Sequence, residues 1–342
     1  MASGGSSESW AVTLRGRPLA EISVRLIDAE TSRTRATGLT DLEGRLWVRH
    51  PDRGVAVSLC AANRTVSIHR RAGGPVVCTP PMSLPPDGTL ELADTPHCAE
   101  LAIAAECSTV MRRTFDTLAP GLGGAARPPT RVVVPDKSPA RLAFVAPVSW
   151  PDGRPELRLQ RTDAPSGEWP RAGVIAHELA HAVHFRTMPL RTRLNIAARY
   201  SAWLASKVAT GEAPTHAPAI ATTPLVAWLE AFGMLGERFD AYARALGSRV
   251  SAAELGPGFV DEELSGGPRL SRQTPGYWPI DTIRPIGHGR IDLGVEGHVY
   301  ASVFVHRGAE VGLQRAVADY LGSGAAGVTS YEQFRTYLAA VA

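Results

Sequence analysis

The hydrophobic pattern of the chain changes its period near residue 92, and this change constrains the fold more than any other feature. Before that point apolar and polar residues alternate, as in the run from Ile22 to Ile27, and similar short runs follow at 46–48, 55–59 and 66–68. After it, apolar residues recur every three or four positions, at Leu101, Ala104, Met111, Phe115 and Leu118. Alternation predicts half-buried strands, whereas the longer spacing predicts helices. The sequence therefore predicts an α+β fold, with a small N-terminal β-sandwich at 10–92 and a second domain at 93–342.

The second domain is predicted to start with a helix, capped at Thr95 and stopped by Gly121, then to continue with strands and to end mainly in helices. Strand candidates lie at 131–134, 141–145 and 156–160. Helices are predicted at 170–187, 191–208, 224–246, 299–321 and 331–341. Between two of these helices, residues 255–298 are rich in glycine and proline and have no clear period. A loop of that length in a compact domain is often functional, and it is expected here to line a cleft.

Composition excludes several classes of function. The 342 residues are 44% hydrophobic and contain no stretch of 18 apolar residues, so no membrane span is expected. The net charge of +3 comes from arginines that alternate with acidic residues, a pattern that does not predict a nucleic-acid partner. The polar N-terminus has no signal-peptide pattern, so a cytoplasmic location is the default expectation, and a secreted one if the N-terminus is truncated. The sequence gives no oligomeric state.

Four cysteines leave two alternatives open. Cys60 and Cys78 flank two strand-like runs and could form a disulfide bond in an oxidising compartment, but buried thiols fit the same pattern. Cys98 and Cys107 complete the set, and none of the four forms a C-x-x-C pair. A zinc site built from cysteines is therefore not predicted.

The strongest motif is R-A-G-V-I-A-H-E-L-A-H-A-V-H-F at residues 171–185. His177 and His181 are one helical turn apart, so their rings lie on one face of a helix and can chelate one ion. Neutral imidazole binds zinc at about 2.0–2.1 Å. Glu178 lies beside this ion, where it can take a proton from a water whose pKa zinc lowers to about 7. The motif predicts a Zn²⁺ cofactor, with the two histidines as ligands and Glu178 as general base.

A catalytic zinc needs a third protein ligand and an open position. The metzincin pattern is excluded, because it needs glycine and histidine where this chain has His184 and Thr187. His184 is about a turn beyond the ligand pair, so we assign it to the core or to the support of a ligand.

We favour Glu230 as the third ligand, because it lies in an apolar run where an unpaired carboxylate is costly. Glu237, on the same face and two turns along, is the alternative. It is followed by Arg238 and Asp240, which is typical of a solvated helix face.

The segment T-P-L-V-A-W-L-E-A-F-G-M-L-G-E-R-F-D-A-Y, residues 223–242, resembles the second zinc helix of gluzincins, the thermolysin-like zinc peptidases. The resemblance extends over most of 95–342 and implies a zincin-type catalytic domain that hydrolyses a peptide or protein substrate. Thermolysin-like enzymes carry an aspartate at the position of Met234 that supports a zinc histidine, so here that support is absent or supplied from elsewhere. The piece R-L-A-F-V-A-P at 141–147 resembles their substrate-pairing edge strand, with Leu142 in place of the usual asparagine.

The N-terminal quarter carries a separate resemblance. The runs G-R-P-L-A-E-I-S-V-R-L-I-D-A-E-T and A-T-G-L-T-D-L-E-G-R-L, residues 16–31 and 36–46, resemble transthyretin-like, carboxypeptidase-regulatory-like modules. Such modules are mostly accessory, and this one is expected to dock or brace the catalytic domain.

A donor for the transition-state oxyanion is less well specified. His298 is the first choice because it opens a predicted helix after Gly297, and Tyr300, Tyr277 and His288 are alternatives. The favoured function is a zinc metallopeptidase. A processing or toxin-like protease with one dedicated protein target, and a non-catalytic binding protein on a peptidase scaffold, remain alternatives.

Overall fold

The structure is a computed structural model, and it describes residues 7–49, 54–92, 97–120, 129–134, 144–149, 152–159, 172–211, 224–246, 255, 303–304, 307–308 and 310–342. The chain is divided into two compact units. The first unit comprises Met1–Thr109, Ala125–Ala143 and Arg158–Arg171. The second comprises Val110–Gly124, Phe144–Leu157 and Ala172–Ala342. Helices and several sheets are both present, which confirms the mixed α and β composition. The predicted boundary at 92 lies inside the first unit.

The first unit contains two four-stranded sheets. Their strands are β1 (Ser7–Leu14), β2 (Arg17–Pro18), β3 (Ser23–Asp28), β4 (Thr34–Leu39), β5 (Arg45–Arg49), β6 (Val55–Cys60), β8 (Met82–Ser83) and β9 (Thr89–Leu92), with β7 (Val66–His69) between β6 and β8 in the chain. Strand β1 pairs antiparallel with β2 and β5 and parallel with β9. The other sheet has the order β4-β3-β6-β8 and is antiparallel throughout. Strand β7 pairs in parallel with β10 (Thr130–Val133).

The turn before β5 shows why the sequence D-L-E-G-R folds as it does. Asp41 Oδ1 accepts hydrogen bonds from the backbone N–H of Glu43 and Arg45, at 3.0 and 2.7 Å. Gly44 has φ +73°, and a Cβ there would lie 2.9 Å from the backbone nitrogen of Leu19. Only glycine satisfies both requirements without a shift of the backbone.

The same unit holds the disulfide bond between Cys60 and Cys78, so the first of the two alternatives for this pair is confirmed. Cys98 and Cys107 are buried thiols in α1 (Cys98–Val110). Complete burial raises the pKa of the Cys107 thiol, which keeps it protonated.

The second unit is built mainly from helices. They are α2 (Ala172–Thr187), α3 (Leu190–Ala209), α4 (Pro224–Leu246), α5 (Leu313–Ala325) and α6 (Tyr331–Val341), and the short strands β11 (Phe144–Ala146) and β12 (Glu156–Arg158) precede them in the chain. A π-helical turn, Met111–Phe115, and the residues Asp116–Leu118 continue α1. Helix α2 packs along α4, and Val145 of β11 lies against an apolar cluster formed by α2, α3 and α4.

The predicted helix at 299–321 is helical at its described residues 303–304, 307–308 and 310–311, but it is interrupted at Gly312 and does not end at residue 321. Helix α5 begins at Leu313 and ends at Ala325. Gly312 precedes it with φ 83°, a conformation that cannot continue a right-handed helix. Within the described residues, no helix is long and apolar enough to cross a membrane.

Candidate metal centre

His177, His181 and Glu230 come together where α2 crosses α4. The Nε2 atoms of the two histidines are 3.1 Å apart. Glu230 Oε2 lies 3.0 Å from His177 Nε2 and 3.6 Å from His181 Nε2. Among the residues that the structure describes, the candidate metal ligands whose donor atoms lie close together in a group of three or more are these three. The structure thus brings together the three residues that the sequence predicts as ligands.

Two glycines of α4 allow this close approach. A Cβ at Gly233 would lie 2.8 Å from His177 Nε2 and 3.0 Å from His181 Cε1, so any side chain here would enter the metal site. One turn along, a Cβ at Gly236 would lie 3.0 Å from the carbonyl oxygen of Ala176 and 3.1 Å from Phe115 Cζ. Because only hydrogen occupies these positions, the backbone of α4 lies directly against the imidazoles.

The three donor atoms fit a zinc ion. Ligands at about 2.0–2.2 Å in a tetrahedral arrangement are separated from one another by about 3.4 Å. The observed separations of 3.0, 3.1 and 3.6 Å bracket this value. Two imidazoles and one carboxylate are also the donor set of known catalytic zinc sites, which leave the fourth position to water or substrate.

The electrostatics of the site favour a positive charge between these residues. Burial lowers the pKa of the His177 imidazole, but its contacts with the Glu230 and Glu237 carboxylates and the nearby Glu178 charge outweigh burial, so the pKa is raised well above its usual value. A site that draws a proton in this way attracts a divalent cation for the same reason.

Glu237 lies on the opposite side of the His177 ring from Glu230. Its Oε2 is 3.5 Å from His177 Nδ1. The side chain also lies near the start of α2, since a Cβ added at Gly173 would be 3.4 Å from Glu237 Oε1. The sequence interpretation missed this role, although the spacing of seven residues from Glu230 already placed both carboxylates on one helix face.

The prediction that Glu237, Arg238 and Asp240 form a solvated face is wrong. Glu237 is 8% exposed, Arg238 2% and Asp240 0%. Asp240 Oδ1 accepts hydrogen bonds from Arg113 Nε at 2.8 Å and from Thr114 Oγ1 at 3.2 Å, both on the π-helical turn. Asp240 Oδ2 accepts one from Arg244 Nε at 2.7 Å. These guanidinium groups allow a full charge to be buried, which the local sequence does not reveal.

His184 belongs to the core, one of the two assignments made from the sequence. It is fully buried beside Tyr320, with ring centroids 4.6 Å apart, and beside Phe232 at 5.9 Å. Neither ring nitrogen has a hydrogen-bond partner among the residues that the structure describes. Burial and the nearby His181 lower the pKa of His184 to about 3, so the ring is neutral.

Glu178 and Tyr200 lie in the same electrostatic environment. Glu178 follows the first ligand on α2 and is 7% exposed. Tyr200 of α3 packs against Trp203, with ring centroids 5.2 Å apart. Burial raises the pKa of Tyr200, and the charges of Glu230 and Glu178 raise it further, so this phenol keeps its proton. The sequence interpretation missed Tyr200, since nothing in its spacing relates it to the motif.

The predicted oxyanion donor, His298, lies outside the described residues, as do Tyr277, His288 and Tyr300. Leu142 of the predicted edge segment also lies outside them, whereas Phe144, Val145 and Ala146 form β11. The role of His298 stays a prediction.

No protein-family model and no curated protein matches the sequence. The likeness to gluzincins therefore depends on the motifs and on the spacing of the residues described above, and family membership stays a prediction.

Proposed function

We propose that the chain is a zinc-dependent peptidase. The observation that carries the proposal is the triangle of donor atoms from His177, His181 and Glu230, whose sides of 3.0, 3.1 and 3.6 Å match a tetrahedral metal site. These three residues would hold the ion. When bound, zinc would supply a Lewis acid that polarises the scissile carbonyl and lowers the pKa of water to about 7.

Glu178 is the proposed general base. It adjoins His177 on α2 and is mostly buried, so its carboxylate is held near the ligand pair. The carboxylate accepts a proton from the attacking water and then donates it to the departing amine. Both transfers use one side chain, because the proton that the first step adds is the one that the second step needs.

Strand β11 supports a peptide as the substrate. Among the described residues it pairs on one side only, with β12, so the other edge of its backbone is available to an extended chain. Val145, in this strand, packs against the cluster that includes Phe185 of the zinc helix. A peptide paired with β11 would therefore run close to α2.

The test compares the wild type with Glu178→Gln. We expect about one zinc ion per chain in both proteins by elemental analysis, and a fall in kcat/KM of about 10²–10⁴-fold in the variant on fluorogenic peptides. Glu332→Gln, an exposed glutamate at the start of α6, is the matched control and should keep full activity. Wild-type protein without zinc, or a variant that cleaves at the parental rate, would overturn the proposal.

The substrate range needs a separate assay. Cleavage of unfolded casein by the wild type is expected of a general peptidase, whereas a protease dedicated to one target would leave casein intact.

A further inference from the structure

The two nitrogens of the His177 ring face two different carboxylates of one helix. Glu230 Oε2 lies 3.0 Å from Nε2, and Glu237 Oε2 lies 3.5 Å from Nδ1. The two glutamates are seven residues apart, which corresponds to about two turns, or about 10 Å, along α4. The ring therefore lies between them, with its metal-facing nitrogen towards one and its rear nitrogen towards the other.

When a cation occupies the space between Nε2 and Glu230, this arrangement selects one form of the imidazole. A neutral histidine carries its proton on one nitrogen and a lone pair on the other. A carboxylate can only accept a hydrogen bond, so Glu237 favours the proton on Nδ1. The lone pair is then on Nε2, the atom that points at Glu230 and His181.

His181 provides an internal comparison. Its Nε2 belongs to the same donor triangle, but its Nδ1 has no hydrogen-bond partner among the described residues. The two predicted ligands therefore differ in how their rings are oriented. The Nδ1 atom of His177 faces the carboxylate of Glu237, a side chain that is 8% exposed and lies near Gly173.

We propose that Glu237 is a positioning residue for the metal, which acts by holding His177 with Nε2 directed at the ion. This inference rests on the proposed function, since it assumes that the site binds zinc. It also identifies the support for a zinc histidine that thermolysin-like enzymes take from an aspartate at the position of Met234. In this chain the support comes from the same helix, three residues further along.

The test measures zinc affinity by competition with a chromophoric chelator, in wild type, Glu237→Gln and Glu237→Ala. Loss of a carboxylate behind a ligand histidine weakens metal binding by about 10–100-fold. We expect that loss in Glu237→Ala and a smaller one in Glu237→Gln, whose amide oxygen can still accept the hydrogen bond. Glu310→Gln, an exposed glutamate at 64%, is the control and should bind zinc as the wild type does.

A spectroscopic readout separates positioning from a general effect on folding. In zinc-loaded protein the Nδ1 proton of His177 should resonate downfield of that of His181, because among the described residues only the Nδ1 atom of His177 faces a carboxylate. In Glu237→Gln the His177 signal should move upfield while the His181 signal stays. Measuring both affinity and spectra in the Glu178→Gln background makes them independent of hydrolysis.

The outcomes distinguish this inference from the function on which it rests. If the wild type binds zinc and loses activity in Glu178→Gln, but Glu237→Ala binds zinc within twofold of the wild type, the positioning role is wrong and the function stands. If wild-type protein binds no zinc, both fall. A fall in the free energy of unfolding of Glu237→Ala, measured with chelator present and with unchanged zinc affinity, would also reject the positioning role.

Discussion

The two ends of α4 pair their buried carboxylates with different kinds of side chain. In the first half, Glu230 contacts the imidazoles of His177 and His181. Near the other end, Asp240 contacts the guanidinium groups of Arg113 and Arg244. Both kinds of side chain can balance a negative charge, but only imidazole can lose its proton and become a metal ligand.

This difference teaches how the same helix can serve two purposes. Arginine is always charged, so the Asp240 cluster is neutralised by the chain itself and holds α4 against the π-helical turn. Histidine is neutral near pH 7 unless its surroundings change its pKa. The imidazoles that Glu230 contacts balance its charge only when a proton or a cation is added, and this favours that end as the proposed metal site.

The largest expected effect concerns the Asp240 end. Arg113→Met removes one partner of a fully buried carboxylate, and breaking a buried ion pair costs about 3–5 kcal/mol of the free energy of unfolding. Denaturant unfolding measures this cost. Arg315→Met is the control, since Arg315 is 67% exposed in its pair with Asp319, and it should cost less than about 1 kcal/mol. Equal losses in the two variants would contradict the contrast.

A second prediction addresses the metal end. Gly233→Ala places a methyl group 2.8 Å from the His177 ring. The side-chain and backbone shifts that such overpacking forces cost about 1–3 kcal/mol. We expect zinc affinity to fall by about 10–100-fold, since 1.4 kcal/mol is a factor of ten. Gly38→Ala is the control, because nothing lies within 4 Å of its Cβ position. Undiminished zinc binding in Gly233→Ala, measured by chelator competition, would show that the two helices are not in close contact at the ligands.

The smallest expected effect concerns the buried His184 imidazole of α2, and it is a pH dependence of stability. His184 has its pKa lowered from 6.5 to about 3 in the folded state. The neutral ring therefore stabilises the folded state fully at pH values above the unfolded-state pKa of 6.5. This stabilisation is lost as the pH falls from 6.5 towards 3. Between pH 7 and 5 the wild type should lose about 2 kcal/mol of stability that His184→Phe keeps, since one pKa unit is worth about 1.4 kcal/mol.

That comparison uses denaturant unfolding with chelator present at both pH values, so that metal release does not contribute. The free energy of unfolding of the wild type minus that of His184→Phe should fall by about 2 kcal/mol between pH 7 and 5. Parallel pH profiles would mean that His184 is not buried as a neutral ring.

The ligand triangle was predictable because its information is local. His177 and His181 are one turn apart, and Glu230 is marked by the apolar residues around it. The position of Glu237 was visible too, but its burial was not. Arg238 and Asp240 beside it look solvated in sequence, and the group that buries Asp240 is Arg113, 127 residues earlier in the chain. A long-range ion pair leaves no periodic signal.

The strands of the first unit were also predictable where their signal is local. Alternation predicted β3 and β6, and the D-L-E-G-R turn carries its own signal in Asp41 and Gly44. By contrast, the limits of α5 depended on the backbone conformation of Gly312, since glycine is compatible with both a continuing and an ending helix. The disulfide bond between Cys60 and Cys78 could not be predicted, because spacing alone does not distinguish a bonded pair of cysteines from two buried thiols.

The π-helical turn Met111–Phe115 gives the molecule an unusual sensitivity to chain length. Such a turn holds one residue more than the α-helix around it. Deleting Thr114 there would turn the residues on its two sides by about 100° relative to each other. Arg113, which pairs with Asp240, and Phe115, which lies against Gly236, could then no longer both face α4, so the length of this short segment determines how α4 is held.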